Sequence, residues 1–253
     1  QLDKLDLELR TRNGNEAIDL GISFVRKHWL AIYTPWLIVI ISVALILKLS
    51  FKEQPSVALM IFWWSLPIFE RLCYHIMSHL LFQNPVSTWK AIKSLPSQWK
   101  CGLISQLTIW RLSSNRCVHT PIYQLEHSGD DAKGKVRHKL IGTAVSQYST
   151  PWSMVFSMFE ILFIFVIYWF LDFFHILGLI FGEDTLFKHL EETIFRGIEP
   201  SLAWQSLLFW IQVSSIALMR PFYLGAGFIL YINRRVILEG WDIELRFRTM
   251  ASR

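Results

Sequence analysis

Four long apolar stretches alternate with polar segments along this chain of 253 residues. A helix needs about 20 apolar residues to cross a hydrocarbon core of about 30 Å. The pattern therefore predicts an all-α integral membrane protein with about four transmembrane helices, amphipathic interfacial helices and a cytoplasmic loop region. We expect a single membrane domain over residues 1–253, with spans at 29–49, 55–82, 151–171 and 202–232.

Two of these spans are irregular. The apolar run that begins at Pro55 meets Glu70 and Arg71, yet its register continues to Phe82. We expect one helix there, whose second half is an interfacial extension at the headgroup region. The last span is broken at Pro221, because proline interrupts helical hydrogen bonding. Residues 222–232 either complete that span or re-enter the bilayer, and the small residues at 225–227 favour close helix packing.

The charges between the spans predict the orientation, because Lys and Arg accumulate on the cytoplasmic side of a membrane. Residues 70–148 hold ten basic and four acidic side chains, whereas 172–200 hold six acidic and two basic ones. We therefore expect a cytoplasmic region at 83–148, an external loop at 172–200, and both termini in the cytoplasm.

The polar segments carry patterns of their own. Residues 16–29 place apolar side chains at helical spacing, which is typical of an amphipathic helix lying along a membrane. Residues 115–131 are predicted to form an extended strap, and 132–147 a basic helix. A further segment interleaves Trp89 and Trp99 with Lys90, Lys93 and Lys100.

Such interleaving is typical of helices whose rings lie at headgroup depth while their ammonium groups reach anionic phosphates. Anionic lipid headgroups are therefore one expected partner of Lys90, Lys93 and Lys100. Packing of the same segment on neighbouring cytoplasmic helices is the alternative.

Composition supports the membrane assignment. Apolar residues make up 53% of the chain and charged residues 18%, whereas a soluble domain carries about 25% charged residues. The net charge of +5 suits anionic lipid, and nucleic-acid binding fits poorly with so apolar a chain. Three cysteines are too few for a disulfide framework. A soluble globular enzyme is the class that these figures disfavour most.

Glu160 lies in the middle of the third span, where a carboxyl group costs about 2.5 kcal/mol or more to insert. Arg220 is its expected complement, since it lies next to the Pro221 break. We predict either a buried polar site lined by Glu160 and Arg220, or a neutral glutamic acid that only fixes helix packing.

His75 and His79 are one helical turn apart and are weak candidates for metal ligands. A closed metal site needs about two further ligands and a catalytic zinc about one, and the sequence supplies none nearby. We therefore predict no metal, no cofactor and a polar stripe at the membrane surface.

The C-terminal segment predicts a helix that ends at Gly240. Arg234 and Arg235 precede Glu239 at a spacing that permits ion pairing, and Asp242 can cap a following helix. This segment is either a docking surface for a cytoplasmic partner or a bend of the chain at the membrane surface.

Both ends of the chain carry a resemblance. Residues 15–21 (NEAIDLG), 25–29 (VRKHW), 220–223 (RPFY) and 231–248 (YINRRVILEGWDIELRFR) resemble a family of uncharacterised bacterial polytopic inner-membrane proteins. Its members are encoded near MoxR-type AAA+ ATPases, RDD-family and SpoIIM-like proteins. The ending is also similar to the membrane-domain group of glycerophosphodiester phosphodiesterases. The resemblance implies a multi-pass protein of the bacterial inner membrane and no established catalytic residues.

Two functions fit these features. The first is a non-enzymatic scaffold or accessory subunit of an envelope-associated membrane complex, linked to a MoxR-type ATPase, with protein partners in the membrane. The second is a lipid or small-solute transporter that uses a Glu160/Arg220 site. An enzyme is the least supported class, because no catalytic constellation can be argued from the sequence.

Overall fold

The structure is a computed structural model that describes residues 10–98, 103–108, 113, 115–125, 132–174 and 201–240. Over these residues the chain is helical and contains no strand. In chain order the helices are α1 (Gly14–Lys27), α2 (Trp29–Ser50), α3 (Pro55–Leu81), α4 (Thr88–Lys93), α5 (Leu95–Gln98), α6 (Leu103–Leu107), α7 (Arg116–Leu125), α8 (Ala132–Phe173) and α9 (Leu202–Glu239).

Four of these helices are long and apolar enough to cross a membrane: α2, α3, the Lys139–Phe173 part of α8, and α9. This confirms the predicted all-α fold with four candidate spans. The first two predicted spans agree with α2 and α3 to within a residue at each end. The predicted external loop lies almost wholly outside the described residues.

The third span is longer than expected. The predicted basic helix at 132–147 and the span that begins at Pro151 form one continuous helix, α8. Pro151 has no N–H to donate to the carbonyl of Gln147, so a single helical hydrogen bond is lost while the helix continues. One continuous helix therefore contains the basic segment and, after it, the apolar span.

The predicted break of the fourth span at Pro221 is wrong, because the helix continues through this proline. Pro221 lies inside α9, so residues 222–232 belong to the last helix and do not form a separate re-entrant segment. The helix is about 57 Å long, at 1.5 Å per residue. It ends before Gly240, whose φ of 62° is a conformation that glycine adopts easily. This confirms the predicted helix end.

The strap predicted at 115–131 is wrong over its first part, since residues 116–125 form helix α7. Burial explains the difference, because Cys117, Val118 and Ile122 are enclosed. The side-chain oxygen of Asn115 accepts hydrogen bonds from the hydroxyls of Ser149 (2.6 Å) and Thr150 (2.8 Å) at the start of the helix. Tertiary packing thus outweighs the local effect of Pro121.

The chain divides into two compact units, and each of the four long helices contributes to both. The first consists of Gln1–Ile40, Trp64–Phe156 and Arg220–Arg253. Within it α1 and α9 pack closely. A Cβ atom added to Gly21 would lie only 2.6 Å from the Cα of Ala226. This confirms the close packing predicted for residues 225–227. The single domain predicted over residues 1–253 stays a prediction.

The second unit consists of Ile41–Trp63 and Ser157–Met219. Its core contains Tyr168 and Trp204, whose ring centroids are 5.4 Å apart in an edge-on arrangement. Lys48 Nζ donates a 2.5 Å hydrogen bond to the hydroxyl of Ser206. Long lysine side chains can reach polar groups in this way from within an apolar helix.

Candidate functional site

A buried ionic cluster lies in the first unit. Glu70 Oε1 accepts one hydrogen bond from Arg116 Nη2 and one from Arg220 Nε, both at 2.9 Å. The Glu70 side chain is fully buried, and the two arginine side chains are less than a tenth exposed. Three helices, α3, α7 and α9, are thereby joined at one carboxylate.

Burying these three charged side chains is costly, so the fold depends on the hydrogen bonds between them. Removing a charged group from water costs several kcal/mol, which its partners must offset by close hydrogen bonding. Glu70 satisfies that condition with two guanidinium groups. Arg220 also lies over the ring of Tyr223, at 5.4 Å from its centroid, a contact that favours a desolvated cation.

Arg71, the neighbour of Glu70, connects α3 to the short helices. Its guanidinium donates to the backbone carbonyl of Gln98 and, at 3.0 Å, to the side-chain oxygen of Gln106. Gln124 in turn donates a 2.9 Å hydrogen bond to the backbone carbonyl of Arg71. Two adjacent residues of α3 therefore hold α5, α6, α7 and α9.

A second set of polar contacts surrounds Cys117. Tyr74 donates a 2.9 Å hydrogen bond to its backbone carbonyl, and Ser153 and Tyr223 share a 3.0 Å hydrogen bond nearby. Burial raises the pKa of the Cys117 thiol to about 11. The thiol is therefore neutral at physiological pH and unsuited to nucleophilic attack.

The two predicted residues of the intramembrane site lie in different units. Arg220 belongs to the first unit, where its acidic partner is Glu70. Glu160 belongs to the second unit, where its side chain is partly exposed and its backbone carbonyl accepts a 3.2 Å hydrogen bond from Ser215. A site shared by Glu160 and Arg220 stays a prediction.

The structure describes part of the predicted basic and aromatic surface. Trp89, Lys90 and Lys93 are exposed on α4, and Lys93 Nζ lies 5.5 Å from the centroid of the Trp89 ring. Ala91 and Leu95 are buried beneath them. Lys100 lies outside the described residues, so the surface is defined by Trp89, Lys90 and Lys93.

At the C-terminal end, Arg235 donates to both carboxylate oxygens of Glu239, at 3.0 and 2.9 Å. This confirms the ion pairing predicted from their spacing. Arg234 is partly exposed one residue earlier. Asp242 lies outside the described residues, and docking at this segment stays a prediction.

The imidazole rings of His75 and His79 lie 4.7 Å apart on α3. Within the described ranges, no group of three or more His, Cys, Asp or Glu side chains is arranged to hold a metal ion.

Sequence reasoning missed Glu70 and Arg116 as site residues. Glu70 stands next to Arg71 at the end of an apolar run, which is also the pattern of a helix emerging at a membrane surface. Arg116 lies among many basic residues of the region predicted to be cytoplasmic. The sequence feature that could have identified Glu70 is its position as an acidic residue within a helical run of mostly apolar residues.

Comparison of the chain with protein-family models, curated proteins and solved structures finds no match.

Proposed function

We propose that this protein is a non-enzymatic accessory subunit that holds partner proteins within a membrane assembly. We place it in the bacterial inner membrane with both termini in the cytoplasm, on the grounds of its loop charges and its resemblance. The same resemblance suggests a MoxR-type ATPase as a component of the assembly.

The observation that carries the proposal is the uneven burial of the candidate spans. In the most apolar window of α9, 78% of the residues are buried within the chain, whereas in that of α8 only 11% are. Helix α8 therefore presents a broad apolar face outward, while Ile164, Ile167 and Leu171 pack against the core that contains Tyr168 and Trp204. The exposed side chains of α8 include Met158, Phe165 and Trp169.

The exposed face of α8 is continuous along the helix, because Met158, Phe165 and Trp169 follow one another at intervals of seven and four residues. All three side chains are more than half exposed. Apolar helices associate in a membrane through van der Waals packing of such faces. The occupant we propose is a transmembrane helix of a partner protein that packs on Met158, Phe165 and Trp169.

The second part of the proposal is that the first unit contacts lipid headgroups. The Glu70 cluster and Arg71 hold the short helices against α3, and α4 carries the exposed Trp89, Lys90 and Lys93. Rings and ammonium groups in this arrangement suit anionic headgroups. The headgroup contacts would fix the subunit's depth while α8 recruits its partner.

Purification in mild detergent tests this function. We expect the wild-type chain to retain a membrane protein at a stoichiometric ratio, and Trp169→Ala to lose it with an unchanged melting temperature, because Trp169 is 68% exposed on α8. Trp29→Ala, the same change at a 57% exposed position of α2, is the matched control and should retain the partner. A wild-type chain that purifies alone as a monomer would refute the proposal.

A lipid or small-solute handler is the second candidate. It is favoured by the burial of Glu70, Arg116 and Arg220 among apolar helices, since ionisable groups at such positions commonly mark a transport path. Uptake by proteoliposomes of the wild-type protein that is lost in Arg220→Lys, which keeps a cation beside Glu70, would support it over the first.

A further inference from the structure

A groove of about 280 Å³ lies in the first unit, between α1 and α8. A water molecule takes up about 30 Å³ in the liquid, so the groove is large enough for a lipid headgroup. Helix α1 is held close to α8 there, because Gly14 packs directly against the ring of Tyr148. Only a glycine permits that approach.

The polar side chains that line the groove are one carboxylate, two amides, a phenol and the indole N–H of Trp152. Asp19 supplies a carboxylate, and Asn15 and Gln147 supply side-chain amide oxygens. Pro151, which also lines the groove, lacks the N–H that would occupy the backbone carbonyl of Gln147 in a regular helix. Of the described residues, those that line the groove include no lysine or arginine, so its carboxylate suits a cation with N–H donors.

Two aromatic rings add to this preference. Tyr148 and Trp152 line the same groove, and the faces of such rings attract ammonium groups. Ile18 and Val155 supply the apolar part of the lining. The combination of a carboxylate, aromatic faces and apolar side chains matches an ammonium headgroup joined to a hydrophobic tail.

The position of the groove along α8 points to a lipid source for that ammonium group. The helix is basic before residue 140 and apolar from Pro151 onward, and the groove lies at this change. Helix α1 is amphipathic, with Ala17, Phe24 and Val25 buried and charged residues on its other face. A groove between an amphipathic helix and the polar end of a candidate span is at headgroup depth.

We infer that this groove binds the headgroup of a phospholipid with a primary amine, of the phosphatidylethanolamine class. The ammonium group would lie at Asp19 and the two rings, and the acyl chains would leave past Val155. This site is separate from the proposed partner-binding face, since Met158, Phe165 and Trp169 do not line the groove.

Headgroup chemistry makes the inference selective. Phosphatidylcholine keeps the positive charge but has no N–H donor for the oxygens of Asn15 and Gln147. Phosphatidylglycerol brings a net negative charge toward Asp19. We therefore expect affinity to fall from phosphatidylethanolamine to phosphatidylcholine to phosphatidylglycerol.

Native mass spectrometry of the full chain, titrated with dioleoyl lipids of each class, tests the site. Asp19→Asn should weaken phosphatidylethanolamine binding about fivefold, the upper range for an exposed ion pair, and reduce its advantage over phosphatidylglycerol. Glu16→Gln is the matched control. Glu16 is also an exposed acid of α1, but it pairs with Arg10 and does not line the groove.

Each outcome of this titration decides the matter. Equal effects of Asp19→Asn and Glu16→Gln, or equal binding of phosphatidylglycerol and phosphatidylethanolamine by the wild type, would overturn the site. Glycerophosphoethanolamine, which has the headgroup without acyl chains, should not displace the lipid at millimolar concentration. If it binds as tightly as the lipid, the ligand is a soluble amine and the lipid assignment is wrong. Melting temperatures within a degree or so of the wild type would show that both variants fold.

Discussion

Glu70 accepts a 2.9 Å hydrogen bond from Arg220, a residue 150 positions further along the chain. The same carboxylate oxygen accepts a second hydrogen bond from Arg116. One acidic side chain therefore connects the second and fourth candidate spans with a helix from the segment between them. Its loss should affect the whole first unit.

Glu70→Gln should lower stability strongly, because it leaves two buried guanidinium groups without their shared anion. Breaking a buried ion pair by removing one partner costs about 3–5 kcal/mol. Thermal unfolding of the detergent-solubilised protein measures the effect. Glu239→Gln, which breaks the partly exposed pair with Arg235, is the control and should cost about 1 kcal/mol or less. Equal shifts in the two variants would contradict the role of Glu70.

Gly21→Ala should destabilise the packing of α1 on α9. Its new methyl group would meet the backbone of Ala226, which cannot rotate away as a side chain could. Overpacking of this kind costs about 1–3 kcal/mol. Ser23→Ala, at an exposed position of the same helix, should change the melting temperature little. The prediction fails if Gly21→Ala melts with the wild type.

Cys117 should resist alkylation near neutral pH. With a thiol pKa of about 11, about 0.1% of the group is thiolate at pH 8, compared with about a quarter for an ordinary cysteine. Peptide mapping after iodoacetamide treatment should therefore show little Cys117 adduct in the folded protein and full adduct after denaturation. Similar rates in the two states would contradict the burial of this thiol.

The same thiol predicts the direction of a pH effect on stability. Because folding raises its pKa, the folded state binds this proton more tightly than the unfolded state. The stability that this difference in pKa adds to the folded state is fully present below about pH 9. It is lost as the pH rises through about 11. Cys117→Ala should show a shallower loss of stability over that window.

The predicted orientation can be tested at Lys90. This side chain is exposed on α4, in the region whose basic excess predicts a cytoplasmic location. In a Lys90→Cys variant, a membrane-impermeant maleimide should label residue 90 only after the membrane that holds the protein is permeabilised. Labelling of residue 90 in intact cells would reverse the topology.

The spans could be predicted from sequence because hydropathy and length are local properties of the chain. Pro151 and Pro221 were harder to interpret, since a proline can break a helix or merely remove one hydrogen bond from it. The packing of neighbouring elements decides between these outcomes, and it is not visible in the sequence. In both cases the helix continues.

The ionic cluster could not be predicted for a related reason. Hydropathy singles out Glu160 because it is the only charge in its span, and the same measure treats Glu70 and Arg71 as the edge of a span. Their burial depends on α5, α6 and α7 covering them. Those helices are short, and their positions are set by contacts far apart in the chain.

The outward face of α8 is the central claim, and site-specific photocrosslinking in cells tests it most directly. A photoreactive residue at Met158, which is 71% exposed on α8, should crosslink to one membrane protein, and Trp169→Ala should abolish that adduct. The same residue at Ile46, which is 63% exposed on α2, should not capture that protein. Lipid adducts alone at Met158, or the same protein at both positions, would contradict a partner-binding face on this helix.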